Sequence, residues 1–342
     1  MADPIPSRDA WLNQVIEPPF EPDLPIVDPH HHLWPVVTYP GYDAYDLDKA
    51  LVDKTGSGHN IVATVLVEAH SGYRRDGPEH LRCVGETEMA DRAGREADRR
   101  GARAAGLCAR IVPHADMLLG DGVEEVLLAH LEASDRVRGV RCLTAYDRDY
   151  DSGASAPPGL LVDSRFRAAM QQLATHGLSL DVWPMQSQLS EVAALARHSP
   201  DVTIVVDHLG GPMGFGRFAA DPEGGFEEWK AGMALVAQCP NTVVKLGGLN
   251  MDFVSRLCPA PDSDRPWTSE HTARVQRRHI LTAIELFGPS RCMFESNFPV
   301  DRRVINAELL WNGFKRVVAD FTADEKHKLF SGTAIRTYHL GS

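Results

Sequence analysis

Short runs of β-branched and aliphatic residues recur along the whole chain, and each run is bounded by polar or turn-forming residues. Runs of this length that are rich in valine and isoleucine are typical of strands buried on both faces of a parallel sheet. The pattern predicts eight strands, at residues 26–30, 61–67, 107–112, 137–142, 178–182, 203–208, 243–246 and 291–295.

Apolar residues with helical spacing fill most of the intervals between these runs. In the segment 123–131, for example, Val123, Val126, Leu127 and Leu131 fall on one helix face. Further helices are predicted near 85–99, 163–175, 189–198, 227–238, 272–287 and 306–319. Strands that alternate with helices predict an α/β fold with a parallel sheet, and eight such units favour a single (β/α)8 TIM barrel.

An open, doubly wound sheet is the alternative architecture. Its phosphate-binding fingerprint would follow the first strand, whereas the glycine-rich stretch GGPMGFG (210–216) follows the sixth and opens no clear helix. The closed barrel is therefore the preferred prediction.

The chain is predicted to consist of an extended, proline-rich N-terminal arm over 1–23 and one barrel domain over 24–342. Long connections near 143–162, 209–225 and 247–270 follow the fourth, sixth and seventh strands. In a barrel these connections lie at the carboxyl ends of the strands, where active sites form, so we expect them to cap a substrate.

Composition narrows the class of partner. The chain has 47 acidic and 35 basic residues, a net charge of −12, which argues against a nucleic acid partner because phosphate binding needs clustered Lys and Arg. The six cysteines are widely spaced, which indicates reduced thiols. No leader pattern and no apolar run approaching ~20 residues is visible, so we expect a cytoplasmic protein that does not contact a membrane. A homodimer is the default expectation for such a protein.

The strongest chemical signal is the segment Asp28-Pro29-His30-His31-His32 at the end of the first strand. Residues two apart on a strand point the same way, so His30 and His32 share a face with Asp28 while His31 faces the other side. Two imidazoles placed in this way can bind a divalent cation, and Asp28 could accept a hydrogen bond from a ligand.

Two other strand ends carry polar residues that would face the same mouth. His208 follows the sixth strand and precedes a Gly-Gly-Pro turn, where it could bind a metal or polarise a carbonyl. Glu295 and Asn297 share a face at the end of the eighth strand, and Glu295 could serve as a base, as a ligand or in a structural ion pair.

Weaker candidates stand at the remaining strand ends, where a functional role and an ordinary ion pair are equally consistent with the pattern. Arg141 and Lys245 could bind an anionic group of a substrate and make the mouth locally positive. The other candidates at strand ends are Glu68, His70, Asp181 and Trp183. The remaining histidines, His114 among them, lack a partner pattern and are interpreted as surface or packing residues. No GxSxG elbow, Walker loop or activated cysteine appears, which favours water activation by His and carboxylate groups.

Taken together, VDPHHHLW (27–34), VDHLGGP (206–212) and MFESNFPVD (293–301) resemble the amidohydrolase superfamily. Within it, the likeness is to the amidohydrolase-related (amidohydrolase 2) TIM-barrel hydrolases, a group that includes sugar lactonases and a pyrone dicarboxylate lactonase. The likeness extends from about residue 24 to 340.

The resemblance implies that His30 and His32 match the family's first-strand HxH pair and that His208 matches its sixth-strand histidine. The family's eighth strand usually carries Ser-Asp-aromatic-Pro, whereas this chain has Asn297 at the acidic position. An amide cannot accept a proton, so the base would be Glu295 or Asp301. The resemblance implies at most one divalent ion, zinc or manganese, and leaves a metal-independent site open.

Three hypotheses follow. The first is a hydrolase that opens a lactone bearing a carboxylate or several hydroxyls. Its catalytic residues would be Glu295, Asp301 and His208, and a metal would be held by His30, His32 and His208. The substrate would be bound by Arg141, Lys245, Asp181, Trp183 and Asn297. The second is a metal-dependent decarboxylase or hydratase of a small carboxylic acid on the same barrel. The third is a barrel that only binds a small molecule, which the replacement at Asn297 motivates.

Overall fold

Eight short parallel strands form the centre of the protein. The computed structural model describes residues 7–37, 42–149, 156–251, 254–260 and 262–341. The strands are β1 Ile26–His31, β2 Ile61–Val67, β3 Arg110–Val112, β4 Gly139–Leu143, β5 Ser179–Trp183, β6 Ile204–Val206, β7 Thr242–Lys245 and β8 Cys292–Met293. All eight coincide with the predicted runs.

The strands close into a barrel. Strands β1 to β3 form one hydrogen-bonded sheet in chain order and β4 to β8 another, and all paired neighbours are parallel. Parallel bridges from Ile111 to Val137 and from His114 to Arg141 join β3 to β4. On the other side, a bridge between His31 and Phe298 joins β1 to the chain that follows β8. The predicted α/β TIM barrel is confirmed.

Helices cover the outside of the barrel. The described helices are α1 Arg8–Leu12, α2 Leu47–Gly56, α3 Val84–Arg99, α4 Val123–Ala133, α5 Ser164–His176, α6 Leu189–His198, α7 Arg217–Ala220, α8 Pro222–Ala237, α9 Ser269–Phe287, α10 Ala307–Val317, α11 Ala323–His327 and α12 Thr333–Thr337. Local sequence explains their ends: the Asp163 side chain caps α5, and Gly177, with φ +63°, ends it. Within the described part of the chain, no helix is both long and apolar enough to cross a membrane.

The N-terminal arm is not extended throughout. Residues 8–12 form α1, because the Ser7 hydroxyl accepts a hydrogen bond from the Ala10 amide and Asp9 lies in the first turn. Trp11 and Leu12 are buried beneath the arm. Residues 1–6 of the predicted arm lie outside the described residues.

The capping segments also contain more structure than the pattern predicts. The segment 209–225 includes α7, and Arg217 of this helix donates to the buried Asp147 carboxylate in the segment after β4, at 2.9 and 3.0 Å. Residues 150–155 of one capping segment, and 252, 253 and 261 of another, lie outside the described residues.

The interior of the barrel has an apolar floor and a polar upper layer. Valines of β1, β2, β3, β6 and β7 pack there with Met293 and Tyr338. Strand alternation then turns the next inward positions of four strands toward the mouth, and these are charged: Arg141, Asp181, Lys245 and Glu295. All four are buried.

Candidate active site

Three imidazoles from β1 and β6 meet at the mouth of the barrel. The His30 ring centroid lies 4.9 Å from that of His32 and 4.6 Å from that of His208. The structure therefore brings together the three histidines that the sequence singled out.

His208 is turned inward by its backbone. Strand alternation alone would point Asp207 and His208 in opposite directions, but His208 has φ +53° and Leu209 φ +54°. This left-handed turn lets both side chains face the interior. Asp207 was missed by the sequence reasoning because nothing in the pattern indicates that alternation ends there.

Glu295 orients two of the histidines. Its Oε1 lies 2.7 Å from His208 Nδ1 and accepts from the His208 amide at 3.2 Å, and its Oε2 lies 3.0 Å from His30 Nδ1. Burial acts to raise the pKa of Glu295, but the adjacent His208 and His30 lower it to about 2. Glu295 is thus ionised, and with Nδ1–H of His208 donating to it, His208 Nε2 is left as an acceptor.

His32 is oriented differently. Its Nδ1 lies 2.9 Å from the Val67 carbonyl, which as an acceptor fixes the proton on Nδ1. Burial, with Arg141 nearby, lowers the pKa of His32 to about 3, so its ring is neutral.

The two predicted anchors for an anionic substrate are already paired. Arg141 donates from Nε to Glu68 at 2.9 Å and lies 3.6 Å from Asp207. Lys245 Nζ lies 2.7 Å from Asp181 and 2.9 Å from Asp207. Both cations are buried, and carboxylates of the barrel itself balance their charges. The locally positive mouth that the sequence predicted is therefore not observed among the described residues.

Asp181 lies deeper than predicted. Its Oδ2 accepts from Lys245 and from the Tyr338 hydroxyl, each at 2.7 Å, and it is fully buried. Burial raises the pKa of Asp181 to about 6, with Lys245 acting to lower it. These contacts hold Asp181 against Lys245 and Tyr338.

The side chain of Asn297, at the position where the family usually has an acid, contacts a carboxylate four residues further along. Asn297 Nδ2 donates to Asp301 Oδ1 at 2.8 Å, and the Asn250 amide donates to Oδ2 at 3.0 Å. Asn297 has φ +54°, which brings its amide to the turn that carries Asp301. Burial raises the pKa of Asp301 to about 7, while His208 and the two asparagines act to lower it.

Two polar groups beside the histidines lack partners among the described residues. Trp183 Nε1, a donor, and Asn297 Oδ1, an acceptor, are both buried without a hydrogen bond. The Trp183 ring lies 5.8 Å from that of His208. Unpaired buried polar groups at a mouth are where a polar ligand would bind.

The donor set is suited to a divalent metal. Donor atoms of His30, Asp207 and His208 lie within 4.8 Å of one another, and the predicted ligand His32 is not in this group. Neither Asp207 oxygen makes a hydrogen bond of good geometry to a described residue. Imidazole nitrogen and carboxylate oxygen are ligands that zinc accepts.

Charge at the site supports the same fit. Burial acts to raise the pKa values of Glu68 and Asp207, but neighbouring cationic groups hold both below their usual range. With Asp181 and Glu295 there are four buried carboxylates here, and among the described residues Arg141 and Lys245 are the Arg and Lys side chains that pair with them. A cluster this rich in carboxylates favours a cation.

Two further predictions at β1 have different outcomes. His31 faces away from the site, as predicted, and its Nε2 lies 2.8 Å from the Thr64 hydroxyl. Among the described residues Asp28 makes no hydrogen bond to an imidazole: its Oδ1 accepts from the amides of Ser296, at 2.9 Å, and His30, at 3.3 Å. It therefore joins the ends of β1 and β8.

A glycine turn after β7 is a part of the site that the sequence reasoning missed. A Cβ at Gly248 would lie 2.4 Å from the His208 ring, and one at Gly247 would lie 2.3 Å from Glu295 Cγ. The pair Gly247-Gly248 directly after a strand was the available signal, since glycine there often marks a close approach.

Comparisons with known proteins agree with this geometry. An uncharacterized protein, y4mH, of Sinorhizobium fredii is 29% identical over 332 residues, which cover 93% of this chain and 99% of that protein. An L-fucono-1,5-lactonase of Burkholderia multivorans is 27% identical over 179 residues, 52% of this chain and 57% of the lactonase. A crystal structure of a Burkholderia multivorans amidohydrolase with bound zinc superposes with a TM-score of 0.67 at 22% identity, over 92% of this chain and 99% of that one, which shows the shared fold.

The match to a family covers most of the chain. Residues 27–340 match the amidohydrolase family, and this span includes β1 from its second residue, all of β2 to β8 and every residue of the site described above. The protein therefore belongs to the amidohydrolase family and is an enzyme of the hydrolase type.

Proposed function

We propose that the protein opens the ring of a polyhydroxylated lactone with an activated water molecule. The observation that carries this proposal is the buried Asp301 carboxylate, which accepts a hydrogen bond from Asn297 at a mouth that also holds three imidazoles. The lactonase among the relatives supports the same class of substrate.

Asp301 is the base in this mechanism. A general base works best when its pKa lies near the working pH, and that of Asp301 is about 7, whereas that of Glu295 is about 2. Asp301 takes a proton from water as the water oxygen attacks the acyl carbon. The same proton then goes to the ring oxygen as the acyl C–O bond breaks, which yields the hydroxy acid.

The carbonyl is polarised on the side of the histidines. His30, Asp207 and His208 would hold one divalent ion, which when bound acts as a Lewis acid on the carbonyl oxygen. Glu295 keeps the His208 and His30 rings in place through contacts of 2.7 and 3.0 Å. Both rings are buried, so bulk water is kept from this side of the ester.

Hydroxyl groups, rather than an anionic group, fit the rest of the mouth. Trp183 Nε1 can donate to a substrate oxygen and Asn297 Oδ1 can accept from a substrate hydroxyl, since both lack partners among the described residues. The two cations offered by the sequence, Arg141 and Lys245, are already paired with carboxylates. This favours a neutral sugar lactone over a lactone carrying a carboxylate.

Acid release from a panel of lactones tests the proposal. Five- and six-membered aldonolactones are incubated with the protein at neutral pH in a pH-stat, with and without added zinc or manganese, and the spontaneous rate is subtracted. We expect acid release from at least one aldonolactone. We also expect His208→Ala to abolish it, because this change removes the ring held by Glu295.

The matched control is His198→Ala, which changes an exposed histidine at the end of α6 and should retain the wild-type rate. Folding of each variant is checked by circular dichroism. Folded, metal-supplied protein that releases no acid from any aldonolactone contradicts the proposal.

A further inference from the structure

A second group of metal-ligating side chains lies at the mouth, on the other side of Arg141. Glu68 and His70 follow β2 and His114 follows β3, and one donor atom of each lies within 4.8 Å of the others. Arg141 separates this cluster from the first, since it contacts both Glu68, at 2.9 Å, and the His30 ring, at 3.3 Å.

The backbone that carries His70 is held in a strained conformation. His70 has φ +55°, a left-handed conformation that is costly for a residue with a Cβ. The buried Glu86 holds it there: its Oε1 accepts from the amides of Ala69, at 2.9 Å, and Ser71, at 3.2 Å, on either side of His70. Strain held by a buried carboxylate indicates that the position of the His70 ring matters.

The two imidazoles are arranged as metal ligands usually are. The Tyr73 hydroxyl lies 3.1 Å from His70 Nδ1, and with Nδ1–H donating to it, His70 Nε2, which lies 3.6 Å from Glu68 Oε2, is the nitrogen that could bind a metal. Among the described residues His114 Nδ1 is buried without a hydrogen-bond partner, and the two ring centroids are 5.2 Å apart.

We propose that Glu68, His70 and His114 form a second binding site for a divalent transition-metal ion, separate from the site of His30, Asp207 and His208. One carboxylate and two imidazoles are a donor set that suits zinc. Because the His70 side chain is 44% exposed, the ion would keep coordination positions open toward solvent, where a ligand oxygen could bind.

Zinc stoichiometry tests this site without reference to turnover. The purified protein is stripped with EDTA, reloaded with zinc, desalted and analysed for zinc per chain. We expect His70→Ala and His114→Gln each to lose one zinc per chain relative to wild type, and His198→Ala to lose none. The same loss should appear when each substitution is made in a His208→Ala background.

A graded variant distinguishes ligation from folding. Tyr73→Phe removes the hydroxyl beside His70 Nδ1 but keeps the ring, so we expect zinc affinity at this site to fall by about 10- to 100-fold, as measured by competition with a chromogenic chelator. Equal zinc content in wild type, His70→Ala and His114→Gln would overturn the proposal. So would a wild type whose only zinc is removed by His208→Ala. A lactone assay has no bearing on either outcome.

Discussion

At the scale of single residues, the site consists of buried charges that depend on one another. Lys245 lies between Asp181 and Asp207 and contacts His30 Nδ1 at 3.0 Å. Burial acts to lower the pKa of Lys245, but the two aspartates and Glu295 raise it, so its ammonium stays charged. Among the described residues, removal of this cation would leave the buried Asp181 without a cationic partner and Asp207 with Arg141, at 3.6 Å.

Lys245→Met should therefore destabilise the protein. Breaking a buried ion pair from one side costs about 3–5 kcal/mol, because the remaining charge has no partner. Urea denaturation followed by circular dichroism measures the change in the free energy of unfolding. Lys328→Met, which removes an exposed lysine from a surface pair with Asp324, is the control and should change little.

The combination Lys245→Met with Asp181→Asn should recover part of the loss, since it removes the uncompensated charge. A single variant as stable as wild type would contradict the assignment of Lys245 to a buried ion pair.

Residue types at strand ends could be read from the sequence, but their partners could not. The three histidines and Glu295 were predicted because each stands where a strand meets the mouth. Arg141 and Lys245 were predicted to meet a substrate, yet they meet Glu68, Asp181 and Asp207. Ion pairing of this kind depends on which strands are neighbours, and a single strand's pattern does not contain that information.

At the scale of elements, the ends of β6 and β8 depart from regular strand geometry where function requires it. His208, Leu209 and Asn297 all have φ near +54°. Alternation predicts side-chain directions only as far as the backbone stays extended. For this reason the sequence predicted the strands well but missed Asp207 and the role of Gly248.

Gly248→Ala should reduce turnover sharply, because a Cβ there would lie 2.4 Å from His208 in a turn with φ +66°. We expect kcat for the best lactone to fall at least tenfold. Gly177→Ala is the matched control: φ is +63°, but nothing lies within 4 Å of its Cβ.

Both substitutions strain the backbone, but only the Cβ added at Gly248 would also displace the His208 ring. Equal kcat values for the two variants would therefore contradict the packing of Gly248 against the His208 ring.

At the scale of the whole molecule, eight predicted strands were enough to indicate the barrel. Its closure through Phe298 and His31, and the contact of α7 with the segment after β4, required coordinates. The sequence predicted that the net charge of −12 lies on the outer surface and that Arg141 and Lys245 make the mouth locally positive. Instead, the described residues of the mouth include more buried carboxylates than Arg and Lys side chains, which supports the proposed metal site and the proposed neutral substrate.

The pH dependence of turnover should follow the ionisation of one residue, Asp301, whose pKa depends on its burial in the folded molecule. Burial raises the pKa of Asp301 to about 7, and a base acts only when ionised. Turnover should therefore be half of its maximum near pH 7, approach the maximum as the pH rises further and be lost as the pH falls below about 7.

The most direct test of the account is kcat for the best lactone substrate, measured by acid release from pH 5.5 to 8.5 in wild type and Asp301→Asn. The amide keeps the size of the side chain but cannot accept the proton of water. We predict that kcat falls by about 10²- to 10⁴-fold with little change in KM, and that the rise of kcat near pH 7 disappears. An Asp301→Asn variant with wild-type kcat and an unchanged pH profile would contradict the assignment of Asp301 as the base.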